Sequence, residues 1–224
     1  MNYLVTGVSS GLGFELAYQL VDCGRVIGVS RTIGKSDAFS QDPRFKFIPW
    51  DLSLISTEAG ASIFFDKIKG LINDENLTLV INAAQFYSGK TRLSNPDTVQ
   101  MLNVNLLSIM KLIQFLRQLK LKRIFIVNSI SGLIGEATQH EYVASKHALM
   151  GFTRSLIKES KNSKYDVMCI NPGGINTELW DDYPDVDTDT FIEPKELARI
   201  IVSLLMIKQR LFIENMIILP PEDV

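Results

Sequence analysis

The chain has 224 residues, long for one domain but within the range of a single α/β domain that buries a large core. Its 23 basic and 25 acidic residues leave a net charge of −2 with no Lys/Arg block, which argues against a nucleic-acid partner. Cys23 and Cys169 lie far apart in apolar surroundings and read as buried free thiols in a reducing compartment; no CxxC or Cys/His cluster predicts a metal.

Met1 is followed at once by an apolar run and, from Thr6, by a glycine-rich turn, so no targeting peptide is expected. The strongest late apolar run, Ile200 to Ile207, is interrupted by Ser203 and is too short for a bilayer. The expectation is a soluble cytoplasmic protein with no membrane partner.

Short apolar runs alternate with helical patterns. Tyr3-Leu4-Val5 reads as a buried strand and Gly11 to Cys23 as a helix. Strands follow at Arg25 to Ser30 and Phe45 to Pro49, then a helix at Thr57 to Ile72 and a strand at Leu77 to Asn82. Asn95-Pro96 is a helix start signal, and a long helix is predicted over Asp97 to Leu119. Arg123 to Asn128 is the fifth strand, His140 to Ser160 a second long helix, and Asp166 to Asn171 the sixth strand, ended by Pro172-Gly173-Gly174. Glu196 to Ile207 reads as a helix and Leu211 to Leu219 as the last strand. This alternation predicts an α/β fold: one domain over residues 1–224, with a doubly wound, Rossmann-like, seven-stranded parallel sheet and helices on both faces. Ligands of such sheets bind outside the carboxyl ends of the strands, where the polar clusters of this chain fall.

The first such cluster is Thr6-Gly7-Val8-Ser9-Ser10-Gly11-Leu12-Gly13. It lacks the G-x-G-x-x-G spacing, yet its glycines permit a tight turn, and the following helix offers free N–H groups to a pyrophosphate. No Gly-Lys-Ser/Thr follows, which removes the P-loop reading. The second strand ends in Ser30-Arg31-Thr32, with no acid for ribose hydroxyls. A guanidinium there suits a 2′-phosphate, so NADP(H) is preferred over NAD(H). Tyr142 and Lys146 are one helical turn apart on one face. A free phenol has a pKa of about 10, and a neighbouring ammonium favours its ionised form, which would make a proton donor and acceptor near pH 7. Taken alone, this spacing is more often a solvated helix face than a catalytic pair.

Five ordered elements resemble the short-chain dehydrogenases/reductases in their compact single-domain branch. Thr6-Gly7-x-x-x-Gly11-x-Gly13 is similar to the family's cofactor turn, with Ser9, Ser10 and Leu12 inside it. Asp51-Leu52 follows the third strand, where the family holds the adenine. Asn82-Ala83-Ala84 resembles Asn-Asn-Ala-Gly, with Ile81 in place of the first Asn and Ala84 in place of the Gly. Ser129 stands thirteen residues before Tyr142. Pro172-Gly173-Gly174-Ile175-Asn176-Thr177 is similar to the element beside the nicotinamide, and Asn105 matches the family's helix asparagine.

The resemblance implies hydride transfer between NADP(H) and a small carbonyl or secondary alcohol. Tyr142 would donate the proton, Ser129 would position the carbonyl oxygen, Lys146 would lower the Tyr142 pKa and hold ribose hydroxyls, and Asn105 would support a water that reprotonates Tyr142. Relatives pair through the two long helices, so a homodimer or homotetramer is expected. The epimerase/dehydratase branch also uses Tyr-x-x-x-Lys but carries a different glycine turn and a larger C-terminal region. A non-catalytic dinucleotide sensor or scaffold is a further alternative, opposed by the presence of all four catalytic residues. The acidic stretch Asp181 to Asp187 lacks the glycine and terminal Glu of a calcium loop and reads as a solvated, mobile loop. Thr177 and Asp51 could also act simply as caps.

Overall fold

Apolar runs of five to seven residues form the strands of the computed structural model, which describes residues 1–72, 76–89 and 93–221. These are β1 (Asn2–Thr6), β2 (Arg25–Ser30), β3 (Phe45–Pro49), β4 (Leu77–Ile81), β5 (Leu121–Val127), β6 (Asp166–Pro172) and β7 (Ile213–Ile218). They make one parallel sheet in the order β3-β2-β1-β4-β5-β6-β7. β1, β4 and β6 are buried along their whole length, as strands covered on both faces must be.

Helices α1 (Gly11–Val21) and α6 (Pro194–Met206) cover one face, over a core that includes Leu16, Leu20, Phe125, Met168 and Ile201. Helices α2 (Glu58–Ile72), α4 (Ser108–Leu116) and α5 (His140–Ser160) cover the other, over Leu4, Phe64, Ile68, Leu112, Ile124 and Leu156. From β1 the sheet extends in both directions, through β2 to β3 on one side and from β4 to β7 on the other. The reversal between β1 and β4 opens the crevice that holds the site.

The long helix predicted from Asp97 differs in two ways. It starts earlier, as α3 (Asn95–Leu102), because Ser94 caps it by accepting the Asp97 N–H at 3.3 Å. It is also interrupted by a π-helical turn at Asn103–Leu107 before it continues as α4. Asn105 lies in that turn. Its Oδ1 accepts the Gln85 N–H at 2.7 Å, and its Nδ2 donates to Gln85 O at 2.8 Å and to Ser145 Oγ at 3.1 Å. A turn with one extra residue lets a side chain from the helix interior reach the loop after β4, a tertiary demand that local periodicity does not show. By length and composition alone the span Asn95–Leu116 could cross a membrane, yet its Ile109, Leu112, Ile113 and Leu116 are packed in the core.

Helix α1 stops at Val21, so Cys23 lies beyond it and is exposed, contrary to the expectation of two buried thiols. Cys169, inside β6, is buried, and burial pushes its thiol up to about 12.

At the amino-terminal ends of β5 and β6, Arg123 grips Asp166 bidentately, Nε to Oδ1 at 2.9 Å and Nη2 to Oδ2 at 2.8 Å. Both side chains are buried, and Arg123 Nη1 also donates to the carbonyls of Leu204 and Leu205 in the last turn of α6. The pair therefore joins two strands to a helix end whose carbonyls lack intrahelical partners.

Asp166→Ala leaves a buried guanidinium unpaired and is expected to lower stability by about 3–5 kcal/mol in urea unfolding. The double variant Arg123→Met/Asp166→Leu should lose much less. Asn105→Ala should cost about 1–3 kcal/mol for each Gln85 backbone group it leaves unpaired, while Ser145→Ala should cost about 1 kcal/mol. Equal losses for these two single variants would contradict the assignment of Asn105 to the loop.

Candidate active site

β1 delivers the glycine turn. Thr6 Oγ1 accepts the N–H groups of Asn82 and Ala83 at 3.0 and 3.1 Å, and Asn82 Nδ2 donates to Thr6 O at 3.1 Å. The exits of β1 and β4 are thereby tied together. Gly7 has φ +77°, open to glycine at little cost, and a Cβ on Gly13 would sit 1.9 Å from Gly7 O. Ser10 begins α1 without a side-chain cap, which leaves the helix N–H groups to other acceptors.

The segment after β2, which carries no sequence motif, supports this turn from behind. Lys35 N–H donates to Ser9 O at 2.7 Å, and Ser36 Oγ donates to Val8 O at 2.6 Å. Lys35 also forms an ion pair with Glu178. Burial pushes the Glu178 carboxyl up, but the Lys35 hydrogen bond and charge, with backbone N–H bonds from Glu178 itself and Gly11, hold it below the usual carboxylate range. A carboxylate of the short helix Glu178–Trp180 thus rests at the positive end of α1.

At the end of β2, Ser30 Oγ donates to Thr32 O at 2.7 Å. Arg31 is exposed, borders the cavity and makes no ion pair among the described residues. Asp51 caps the turn Leu52–Ser56, its Oδ1 accepting from Ser53 N–H at 2.9 Å and Ser53 Oγ at 2.7 Å. Thr177 occupies the cap position of the Glu178–Trp180 turn but makes no side-chain cap bond; its methyl packs against Gly11.

β5 and α5 bring the chemistry together. Ser129 is extended at the β5 exit, and its Oγ accepts the Ser131 N–H at 3.1 Å. That bond leaves the single Ser129 proton free to donate toward the cavity it borders with Tyr142. Ser131 thus shapes the loop rather than competing for the role. Lys146 is 3 % exposed, its ammonium 5.6 Å from the Tyr142 ring centroid.

The expectation that Lys146 lowers the Tyr142 pKa is corrected here. Burial pushes Tyr142 up to about 12, opposed by the Ser129 hydrogen bond, and burial pulls Lys146 down to about 8. Removal from water is the largest cause of both shifts.

These residues border one cavity of about 1050 Å³ at the carboxyl ends of the strands. Every residue predicted for the site lines it except Thr6 and Asn105. Thr6 acts from behind, through its hydrogen bonds to β4. The side-chain amide of Asn105 is bonded to Gln85 and Ser145, so it ties the loop after β4 to α5 from behind the cavity. Ala84 lines the cavity where the resemblance has glycine. Motif reading missed Glu178, Lys35 and an aromatic wall of Phe86, Trp180, Tyr183 and Phe191. These come from loops with no fixed spacing; only the adjacency of Glu178 to Thr177 could have marked any of them.

The lining formed by the glycine turn, Asn128 and Lys146 fits a nicotinamide dinucleotide. Lys146 has three protons to donate and one acceptor, Asn128 O at 3.4 Å, and the Asn128 Oδ1 in the same lining is buried without a partner. Ribose hydroxyls, donors and acceptors together, match both. Gly7, Gly11 and Gly13 keep the turn open to a pyrophosphate.

A family model described as short chain dehydrogenase matches residues 2–187. The 3-oxoacyl-[acyl-carrier-protein] reductase FabG of Buchnera aphidicola subsp. Schizaphis graminum is 29% identical over 79% of this chain and 74% of its own length. The acetoacetyl-CoA reductase of Shinella zoogloeoides is 28% identical over 90% of this chain and 89% of its own. Among solved structures, 4-hydroxyisoleucine dehydrogenase complexed with NADH superposes with a TM-score of 0.84 at 23% identity, covering 98% of this chain and 97% of that one. ElxO with NADP bound gives 0.81 at 21% identity, covering 98% and 96%; both likenesses show the fold. The chain belongs to the short-chain dehydrogenase/reductase family and is an NAD(P)-dependent oxidoreductase acting on CH–OH and carbonyl groups.

Proposed function

We propose that this protein is an NADP(H)-dependent reductase of small carbonyl compounds, with Tyr142 as proton donor. The observation that carries the reading is the convergence of Tyr142, Ser129 and Lys146 on one wall of a dinucleotide-sized cavity. A bound nicotinamide supplies the hydride to the carbonyl carbon. Ser129 orients the carbonyl oxygen with its one free proton, and Tyr142 protonates that oxygen as negative charge develops on it. With Tyr142 pushed up to about 12, the phenol is protonated at neutral pH, the state in which it can donate to the carbonyl oxygen. Lys146 holds ribose hydroxyls and supplies the positive charge beside the oxygen. Asn82, Ala83 and Ala84 border the adenosine side with Asp51 and Leu52; Pro172, Gly173, Ile175 and Thr177 border the nicotinamide side.

The Arg31 guanidinium, which makes no ion pair among the described residues and borders the cavity, supports NADP(H) over NAD(H). The exposed apolar residues Val99, Leu107 and Met110 on the α3–α4 helix support a homodimer or homotetramer, which light scattering checks. The reading includes a soluble, cytoplasmic protein in one domain with no nucleic-acid or membrane partner.

Tyr142→Phe should keep NADPH binding and lose carbonyl reduction by about 10²-fold or more, followed as NADPH absorbance with a carbonyl panel. Unchanged turnover would sink the mechanism. NADPH should bind more tightly than NADH by calorimetry, with Arg31→Asp reversing the order; equal affinities in the parent protein would refute the cofactor assignment. The same titration carries a pH dependence. Lys146 is charged below about 8 and neutral above it, and the ammonium is the ribose donor. Dinucleotide affinity should therefore fall as pH rises through about 8, a limb that Lys146→Met removes.

A further inference from the structure

Beyond Tyr142 the cavity is walled by rings. Phe86 is the hub: its centroid lies 4.8 Å from Tyr142, 5.1 Å from Trp180 and 5.3 Å from Tyr183. Trp180 continues the wall to Phe191 at 5.2 Å. All these contacts are edge-on, with interplanar angles from 61° to 84°. The polar ends of the wall are engaged elsewhere. The Trp180 indole N–H donates to Ile175 O at 2.8 Å, and the Tyr183 hydroxyl accepts the Ser88 N–H at 3.2 Å. Ring carbon is what remains toward the cavity, and a flat ring entering it exchanges ring–ring contacts for ring–substrate contacts of the same kind.

Charge narrows the choice further. Glu136 and Asp182 border the cavity in the loops next to this wall. The basic side chains on the described lining are Arg31, at the far β2 end, and Lys146, buried next to Tyr142. Among the described lining residues, an anionic substituent near the wall meets carboxylates and no exposed cation, which acts as discrimination against it.

We propose that the site takes flat, apolar carbonyl compounds, aryl or conjugated ketones and aldehydes without an anionic group, and disfavours carboxylate- and phosphate-bearing acyl substrates. The inference rests on the carbonyl-reductase reading. The step balances as that reading requires: the C=O π bond breaks, carbon gains hydride from the reduced dinucleotide, oxygen gains the Tyr142 proton, and the dinucleotide leaves oxidised. The preference separates this chain from relatives named for acyl-carrier-protein and CoA thioesters.

The test uses three probes on the full chain: acetophenone, its para-carboxylate 4-acetylbenzoate, and acetoacetyl-CoA. Binding is read by calorimetry to the protein–NADP⁺ complex, and turnover by NADPH absorbance. The neutral aryl ketone should exceed both anionic probes by about tenfold or more in affinity and in kcat/KM. Trp180→Ala, and independently Phe86→Leu, should reduce that advantage to near parity while dinucleotide affinity stays unchanged. Equal or better binding of either anionic probe, no binding of the aryl ketone, or an aryl preference that survives both variants overturns the proposal. Selective binding of the aryl ketone without its reduction supports the assigned wall and sinks the reductase reading instead.

Discussion

The site depends on the tie between β1 and β4. Neighbouring parallel strands that send their chains to opposite faces of a sheet leave a gap at their carboxyl ends, and unpaired backbone groups line it. Here Thr6 Oγ1 closes the base of that gap by accepting two N–H groups of the β4 exit, while Asn82 reaches back to the Thr6 carbonyl. The glycine turn then rises from a rigid floor. Gly13 must stay without a side chain because Gly7 O occupies the space. Elements not in contact with any ligand, such as Ser36 under Val8, hold the same turn from outside.

A second constraint follows from burial. The fold places an ammonium almost fully out of water with, among the described residues, one long hydrogen bond and no carboxylate partner. Such a group is costly, and its position next to an orphan Asn128 Oδ1 marks a surface built to meet hydroxyl groups. The same burial keeps the Tyr142 phenol protonated. The two perturbed groups thus stand as acid and cation, the pairing that protonation of a developing alkoxide requires.

The sheet, its seven strands and most of the cavity lining were legible because they rest on local rules. Apolar runs make buried strands, glycines mark the turn, and a Tyr and a Lys one turn apart share a face. Three features were not. The π turn at Asn103–Leu107 exists to satisfy Gln85, a partner twenty residues away from Asn105 in sequence. The direction of the Tyr142 shift depends on how much water reaches the phenol, which spacing does not encode. The aromatic wall joins Phe86 to Trp180 and Tyr183 across nearly a hundred residues, on loops free to vary in sequence. Glu178 at the start of α1 belongs with these, as its partners Gly11 and Lys35 come from two other loops.

The central claim is that this cavity joins a nicotinamide to a carbonyl carbon. Reduction of acetophenone with NADPH deuterated at the transferable position, followed by mass and proton spectra of the product, tests it most directly. The account predicts one deuterium bound to the carbinol carbon, and an O–H proton drawn from solvent. Product without carbon-bound deuterium, or no alcohol from any carbonyl offered while NADPH binds, would contradict it.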